Sequence, residues 1–353
     1  MRVVAFTKTG RRGPSSRYRF EALRGPLRDL GVRLETEPLF LDAWFVLLRV
    51  RPRILRVGLK AVYAGWRFAV RGARLGRVRD ADLVVVEHQL FPYLPAWGER
   101  WLSRRRTPWQ LEFDDAIHLT RLHARKMALL CRLADRVVVG NDTLARFARR
   151  HARAAAVEVV PTLVDADRIR PRAPSPPGRP AVIGWIGLPT NFGALRLLAA
   201  PLRRLAATTP IVLRVVSDGA PQLEGVPVEA RPWSEEGEAD EVRGFDVGVM
   251  PLPDDAWSRG KCGLKILQAF AAGVPVVASP VGVNAELIRP GENGLLATSD
   301  EEWHDALALL LRDGALRRRL AEAGRRTVEE RYSLPRWAPR IAAGLKGAAA
   351  SRS

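Results

Sequence analysis

Short apolar, β-branched runs recur along the chain, with longer segments of helical character between them. In the first half they fall at Val3–Phe6, Val32–Leu34, Leu83–Val86, Leu111–Phe113, Val137–Val139 and Val157–Val160. Strand and helix signals alternating in this way predict a parallel sheet with crossover helices. The proline-rich stretch PRAPSPPGRP (Pro171–Pro180) reads as a linker and marks the domain boundary. A second series follows at Val182–Ile186, Ile211–Val216, Val226–Ala230, Phe245–Met250, Val274–Ala278 and Leu295–Ala297. The tail EEWHDALALLLRDGALRRRLAEAGRRTVEERYS reads as two helices broken at Gly314, and another helical stretch, Trp337–Leu345, follows Pro335. No internal repeat of solenoid period is present. The expected fold class is α/β, with two doubly wound, Rossmann-like domains facing each other across a cleft. Ligands of open α/β sheets bind beyond the carboxyl ends of the strands. Two loops there are unusual: GRRGPSSRYR after the first strand and PLPDDAWSRGKCG after Phe245–Met250.

Charge sharpens this picture. The 353 residues carry a formal net charge of +19. Residues 1–170 hold 34 Lys/Arg against 17 Asp/Glu and account for +17, whereas the remainder holds 23 against 21 and accounts for +2. An arginine-rich composition alone does not create such an asymmetry, so the first half is expected to face an anionic surface or substrate. The two cysteines, Cys131 and Cys262, form no metal-binding pattern, which suggests a reduced, intracellular protein without structural zinc. The N-terminus lacks a signal-peptide core, and the uncharged stretch Ala269–Ala285 is interrupted by glycines and prolines and shorter than a membrane span. These features predict a cytoplasmic protein, free or resting on the inner face of the cell membrane.

The stretch GKCGLKILQAFAAGVPVVASPVG, residues 260 to 282, poses a physical problem. Cations are disfavoured at a helix N-terminus, yet Lys261 and Lys265 stand where a helix is expected to start. A helix beginning near Cys262–Gly263 would place Lys261, Lys265 and Gln268 on one face and Leu264, Leu267 and Phe270 on the apolar one. Free amides, small glycines and two lysines make an anion site, with phosphate the natural occupant. A solvated polar face carrying incidental lysines is the alternative.

The same stretch resembles the donor-binding region of glycosyltransferase family 4. AFAAGVPVVAS, PVGVNAELIRPGENGLLA and the tail to RYS match that family's pattern across Phe245–Ser333. ADLVVVEH and GNDTLARF in the first half are similar to its strand-end segments. The G-K-C-x-x-K-x-x-Q spacing is closer still to a bacterial subgroup. The resemblance implies the GT-B fold: an acceptor domain over 1–170, the linker 171–180, a donor domain over 181–335, and a helix over about 336–353 packing back onto the first domain. It also implies transfer of a sugar from a nucleotide diphosphate sugar, retaining and independent of metal, without a cofactor, in the synthesis of envelope glycan or glycolipid. Lys261 and Lys265 would stabilise the leaving diphosphate, aided by amides at Gly263, Leu264, Gly282 and Asn284. Gln268 would hold the ribose, and Gly187 and Asn191 of the GWIGLPTNFG loop would complete the donor site. Gly13, Ser16 and Arg17 would close over phosphates or acceptor. Asp114, where the family often has a His, would stabilise charge at the anomeric carbon or else serve as a structural carboxylate. The chain departs from the family in having Gly260 and Gln268 where it has two glutamates.

Other motifs carry less. Asp80–Asp82 and Asp165–Asp167 read as loop or capping residues, and Asp254–Asp255 as a turn or ion pair, so no metal is expected. His88 ends a strand near the expected cleft and reads as structural. Trp44 to Val78, long, basic and rich in tryptophan, reads either as an ordinary amphipathic insertion or as a contact with an anionic membrane surface near a lipid-linked acceptor. No nucleic-acid-binding motif is present, so nucleic acid is not an expected partner. The rival readings are a basic nucleic-acid-binding protein and a GT-B protein that is an epimerase or binds without catalysis.

Overall fold

In a computed structural model describing residues 1–47, 50–152, 157–171 and 178–351, both predicted series form parallel sheets. The first consists of β1 (Arg2–Thr9), β2 (Arg33–Phe40), β3 (Leu83–Glu87), β4 (Trp109–Phe113), β5 (Arg136–Val139) and β6 (Val157–Val159), in the order β2-β1-β3-β4-β5-β6. The second consists of β7 (Ala181–Ile186), β8 (Ile211–Val216), β9 (Val228–Arg231), β10 (Val247–Met250), β11 (Val276–Ala278) and β12 (Leu295–Leu296), in the order β12-β11-β10-β7-β8-β9. Central strands such as β3, β4 and β10 are buried along their whole length, as parallel strands covered on both faces must be.

The chain divides into two units, Met1–Thr162 with Trp337–Ser353, and Leu163–Arg336. In the first unit the sheet is accompanied by α1 (Pro14–Arg19), α2 (Arg24–Asp29), α3 (Ala43–Leu47), α4 (Arg53–Arg74), α5 (Trp97–Ser103), α6 (Ala124–Leu133) and α7 (Asp142–Arg149). Asn141 caps α7 by accepting from the Leu144 amide at 2.9 Å. The second unit holds α8 (Phe192–Leu195), α9 (Ala199–Ala206), α10 (Glu238–Arg243), α11 (Ala256–Arg259), α12 (Leu264–Ala271), α13 (Val283–Leu287), α14 (Asp300–Arg312) and α15 (Gly314–Arg331). Its core joins Trp185 and Leu213 of the sheet to Leu198, Leu202, Trp303 and Leu307 of the helical segments packed on one face. Ser299 and Glu302 form a capping box at the start of α14, and Asp313 caps α15, which ends one helix and starts the next at Gly314. The last helix, α16 (Leu334–Ala350), counts with the first unit from Trp337 onward. There Lys346 Nζ donates to the Leu30 carbonyl at 3.0 Å.

The division between the units falls earlier than the proline-rich stretch. Arg325 explains the difference. Its guanidinium donates to the carbonyls of Ala166, Ile169 and Ala271 at 2.8, 2.5 and 2.5 Å, stapling the segment after Thr162 to the second unit. Residues 172–177 of the expected linker lie outside the described residues.

Candidate functional site

In each sheet the strand order reverses once: β1 pairs with both β2 and β3, and β7 with both β8 and β10. Loops leaving adjacent strands diverge at such a switch point and open a crevice, the usual ligand position in open α/β sheets. The two crevices are built differently.

In the second unit, the chain leaving β10 passes through α11, capped by Asp255, and enters α12 at Leu264. Gly263 makes this entry with φ of 67°, a left-handed conformation costly for any residue with a side chain. A Cβ there would also stand 2.4 Å from Leu287 Cδ1. The turn takes Lys261 off the helix. Lys261, Lys265 and Gln268 therefore do not share one helical face, and helical spacing holds only from Leu264 onward. No side chain caps α12, so its first amides keep their partial positive charge at the crevice. Lys265 lies in this first turn with Nζ 5.3 Å from the centre of the Trp185 ring. Its stem runs in a crevice lined by Ile186, Phe245, Met250 and Ile266. Gly187, directly after β7, permits that path, since a Cβ would approach Lys265 Cε to 2.9 Å. Asn191 is half-buried, with its amide on the Leu188 carbonyl at 2.9 Å. Gly282 opens α13, which likewise has no side-chain cap.

Two predicted donor residues are otherwise engaged. Gln268 is buried, and its Nε2 donates to Glu238 Oε1 at 2.9 Å, while Trp233 Nε1 donates to Glu238 Oε2 at 2.7 Å. The amide nitrogen expected at the ribose thus holds a carboxylate from α10. Asn284, expected to offer its backbone amide, donates that amide to the Val281 carbonyl at 3.2 Å, and its buried Nδ2 donates to the Ser279 carbonyl at 3.1 Å. Sequence reasoning missed Glu238, which lies 30 residues from Gln268 and belongs to no motif. It also missed Ser217, one residue beyond β8, whose buried hydroxyl has no hydrogen-bond partner. Ser217 follows Val216, whose carbonyl accepts from the Gly187 amide at 3.1 Å, so both loops leave the sheet side by side.

The crevice of the first unit is acidic inside and basic at its loop. Glu87 ends β3 and accepts from the Lys8 amide at 2.7 Å and from Ser16 Oγ at 2.8 Å. Burial pushes its carboxyl above the usual range, with Asp114 adding to the rise. Ser16 therefore faces the sheet end rather than closing over a ligand. Arg17 is buried too, with Nη1 on the Arg11 carbonyl at 3.1 Å, so the segment after Gly13 is fixed by its own contacts. The Gly13 amide donates to the Gly10 carbonyl at 3.0 Å. His88 follows β3 with φ of 59°, uncommon for a residue with a side chain. Its Nε2 stands 3.5 Å from Asp114 Oδ1, an ion-pair distance at which neither ring nitrogen makes a hydrogen bond. Burial alone would raise the Asp114 carboxyl. The facing His88 and the Arg19 guanidinium outweigh it and hold the group at about 2. The same carboxylates, against the opposing effect of burial, raise His88. His88 thus belongs to the polar cluster at the switch point.

The acidic pairs are structural. Asp82 accepts from the Arg2 amide at 2.6 Å, Asp165 Oδ1 accepts from the amides of Asp167 and Arg168 at 3.1 and 3.0 Å, and Asp254 pairs with Arg259 at 2.6 and 3.0 Å. Among the described residues, no group of three or more His, Cys, Asp or Glu is placed to hold a metal. Cys131 is buried, which pushes its thiol up to about 12.

The family model described as glycosyl transferases group 1 matches residues 180–313. A D-inositol 3-phosphate glycosyltransferase from Xylanimonas cellulosilytica is 29% identical over 240 residues, covering 56% of this chain and 55% of that protein. The same-named protein of Mycolicibacterium paratuberculosis is 33% identical over 208 residues, covering 51% and 45%. The chain therefore spans about half the length of these curated relatives. Anabaena HepE, in complex with UDP and glucose, matches with a TM-score of 0.76 at 15% identity over 98% of this chain and 100% of that one. Residues 180–313, which contain the α12 turn, thus match the glycosyl transferases group 1 model, and the chain as a whole has the GT-B fold.

Proposed function

We propose that the chain is a glycosyltransferase taking its sugar from a nucleoside diphosphate sugar held at the β7/β10 crevice. The observation that carries this reading is the uncapped start of α12 with Lys265 beside Gly187. When the anomeric C–O bond breaks, negative charge grows on the departing diphosphate. Amides and ammonium groups already aimed at that position stabilise it without reorganising. Lys261 adds charge from the turn before Gly263, and the Ser217 hydroxyl is available to the ribose or the diphosphate. Gln268 serves by holding Glu238 in place. Charge stabilisation of this kind makes the transfer independent of a metal at the leaving group. Retention of configuration, implied by the family resemblance, calls for no dedicated base.

The acceptor belongs to the β1/β3 crevice. Asp114 and His88 suit hydroxyl groups, and Lys8, Arg11 and Arg12 in the adjoining loop suit an anionic group. A phosphorylated polyol, as named for the relatives from Xylanimonas and Mycolicibacterium, is the acceptor class this supports.

A thermal-shift panel of UDP, GDP, ADP and their sugars tests the donor site. Binding to the native state alone stabilises by about 2.7 kcal/mol at a ligand concentration of 100 times Kd. One nucleotide series is expected to raise the wild-type transition, with Lys265→Ala losing most of the shift and Lys261→Ala part of it. Failure of every nucleotide, or an unchanged response in both variants, overturns the reading. Stabilisation without release of the free nucleotide in the presence of acceptors would instead identify a nucleotide-sugar binder. Gly260 and Gln268, in place of the family's glutamates, are the features favouring that second reading.

A further inference from the structure

Helix α4 is oriented inside out. Arg56, Lys60, Tyr63, Arg67 and Arg71 follow one face at helical spacing, and that face is turned to the protein. Arg67 and Arg71 are buried. Arg67 donates to the carbonyls of Leu39 and Pro38 at 2.6 and 2.9 Å. Arg71 donates to those of Leu90, Thr7 and Glu37 at 3.2, 2.6 and 2.5 Å. Three of these carbonyls belong to the edge strand β2, Thr7 lies near the end of β1 and Leu90 lies beyond β3; buried carbonyl oxygens need donors. Burial pulls the Arg71 guanidinium down to about 9, so it remains charged at neutral pH. Tyr63 OH accepts from the Leu41 amide at 3.0 Å, and Lys60 Nζ lies 4.3 Å from the Trp44 ring centre.

The opposite face is apolar and open. Ile54 is 87% exposed, Val62 74% and Trp66 56%, and Leu55, Gly58, Gly65 and Ala69 complete one uncharged stripe. An ordinary insertion would bury this stripe and solvate its arginines. The flanks are wholly basic: residues 43–79 contain ten Lys/Arg and no Asp/Glu, with Arg51 and Arg53 exposed at the helix start. Among the described residues no helix is long and apolar enough to cross a membrane. At 22 residues and about 1.5 Å per residue, α4 offers a strip roughly 33 Å long.

We infer that the outward face of α4 lies in the interface of an anionic lipid bilayer, with Ile54, Leu55, Val62 and Trp66 among the acyl chains and Arg51 and Arg53 at the headgroups. An apolar stripe bordered by cations and free of carboxylates suits this surface, whose burial and charge attraction add. The first unit is thereby held at a membrane through α4.

Co-sedimentation of the full chain with vesicles of phosphatidylglycerol and phosphatidylcholine tests this, against vesicles of phosphatidylcholine alone. The wild type is expected to bind the anionic vesicles preferentially and to weaken with added salt. Ile54→Glu combined with Val62→Glu is expected to lose at least about tenfold in partitioning, because both charges would enter the apolar boundary. Its thermal transition and its response to nucleotide should be unchanged, since both side chains are exposed and lie outside the donor crevice. Any of four results overturns the inference: no binding to anionic vesicles, equal binding to both kinds, a variant that binds like the wild type, or a free-solution dimer that the variant dissociates. Membrane binding is read without catalysis, so its failure leaves the donor reading intact.

Discussion

Replacing Gly263 with alanine tests the turn that separates Lys261 from α12. Two penalties follow from the structure. A φ of 67° costs an L-residue roughly 1–2 kcal/mol. The new Cβ would lie 2.4 Å from Leu287 Cδ1, far inside contact distance, and forcing an extra methyl into a packed site costs about 1–3 kcal/mol. The sum is about 2–5 kcal/mol. Gly291 separates the two contributions, because it has φ of 79° with nothing within 4 Å of its added Cβ. Gly291→Ala should therefore pay only the backbone part, about 1–2 kcal/mol. Urea unfolding of the two variants measures the difference, about 1–3 kcal/mol, that belongs to Leu287. Adding Leu287→Ala to Gly263→Ala removes the colliding methyl, so the double variant should be more stable than the two single costs predict. Equal losses for Gly263→Ala and Gly291→Ala, with additive behaviour of Leu287→Ala, would refute the packing argument. A Gly263→Ala protein that keeps its full nucleotide-induced shift would refute the link between this turn and the proposed donor site.

Three further outcomes follow from the same contacts. Arg71→Met strands three buried carbonyls at about 1–3 kcal/mol each, so a loss of about 3 kcal/mol or more is expected in urea, with Arg71→Lys restoring only a fraction. Glu238→Ala and Gln268→Ala should be non-additive by about 1 kcal/mol or more, because either one alone breaks their shared bond. Asp114 has a folded pKa of about 2, below its usual 3.8, so its stabilising effect is present above pH 4 and disappears as pH falls toward 2. Acid unfolding of Asp114→Asn should lack that component, worth on the order of 2 kcal/mol, and an unchanged acid profile would disprove the pairing with His88.

Every predicted run lies on or overlaps an observed strand; the central strands were legible because burial on both faces selects β-branched residues, whereas β6 and β9 are only partly buried. The α12 region was legible as a strand-to-helix junction carrying lysines because small residues and lysines lie together in sequence, and its occupation by an anion is the proposal above. Its geometry was not, because helical spacing assumes a continuous helix and cannot reveal that Gly263 turns left-handed. Glu238 and Ser217 were invisible for another reason. Their roles arise from strand order, which brings α10 against α12 and the β8 loop beside β7 only once the sheet is assembled.

Helix α4 shows where periodicity stops informing. A wheel separates a basic stripe from an apolar one but does not say which stripe faces the protein. The decision belongs to what the helix covers. Over an apolar sheet face, burying Ile54, Val62 and Trp66 would win, at about 1.5–3 kcal/mol for each large apolar side chain. Over the edge of β2 and the ends of β1 and β3, five carbonyls need donors, and each one left buried and unsatisfied costs about as much. Arg67 and Arg71 meet all five, so the basic stripe is drawn inward and the apolar stripe is left outside. Once the arginines are committed, the helix cannot rotate to hide its apolar face without breaking those bonds. That exposed face can be removed from water only by something that comes to it, and the cations at its border select an anionic surface.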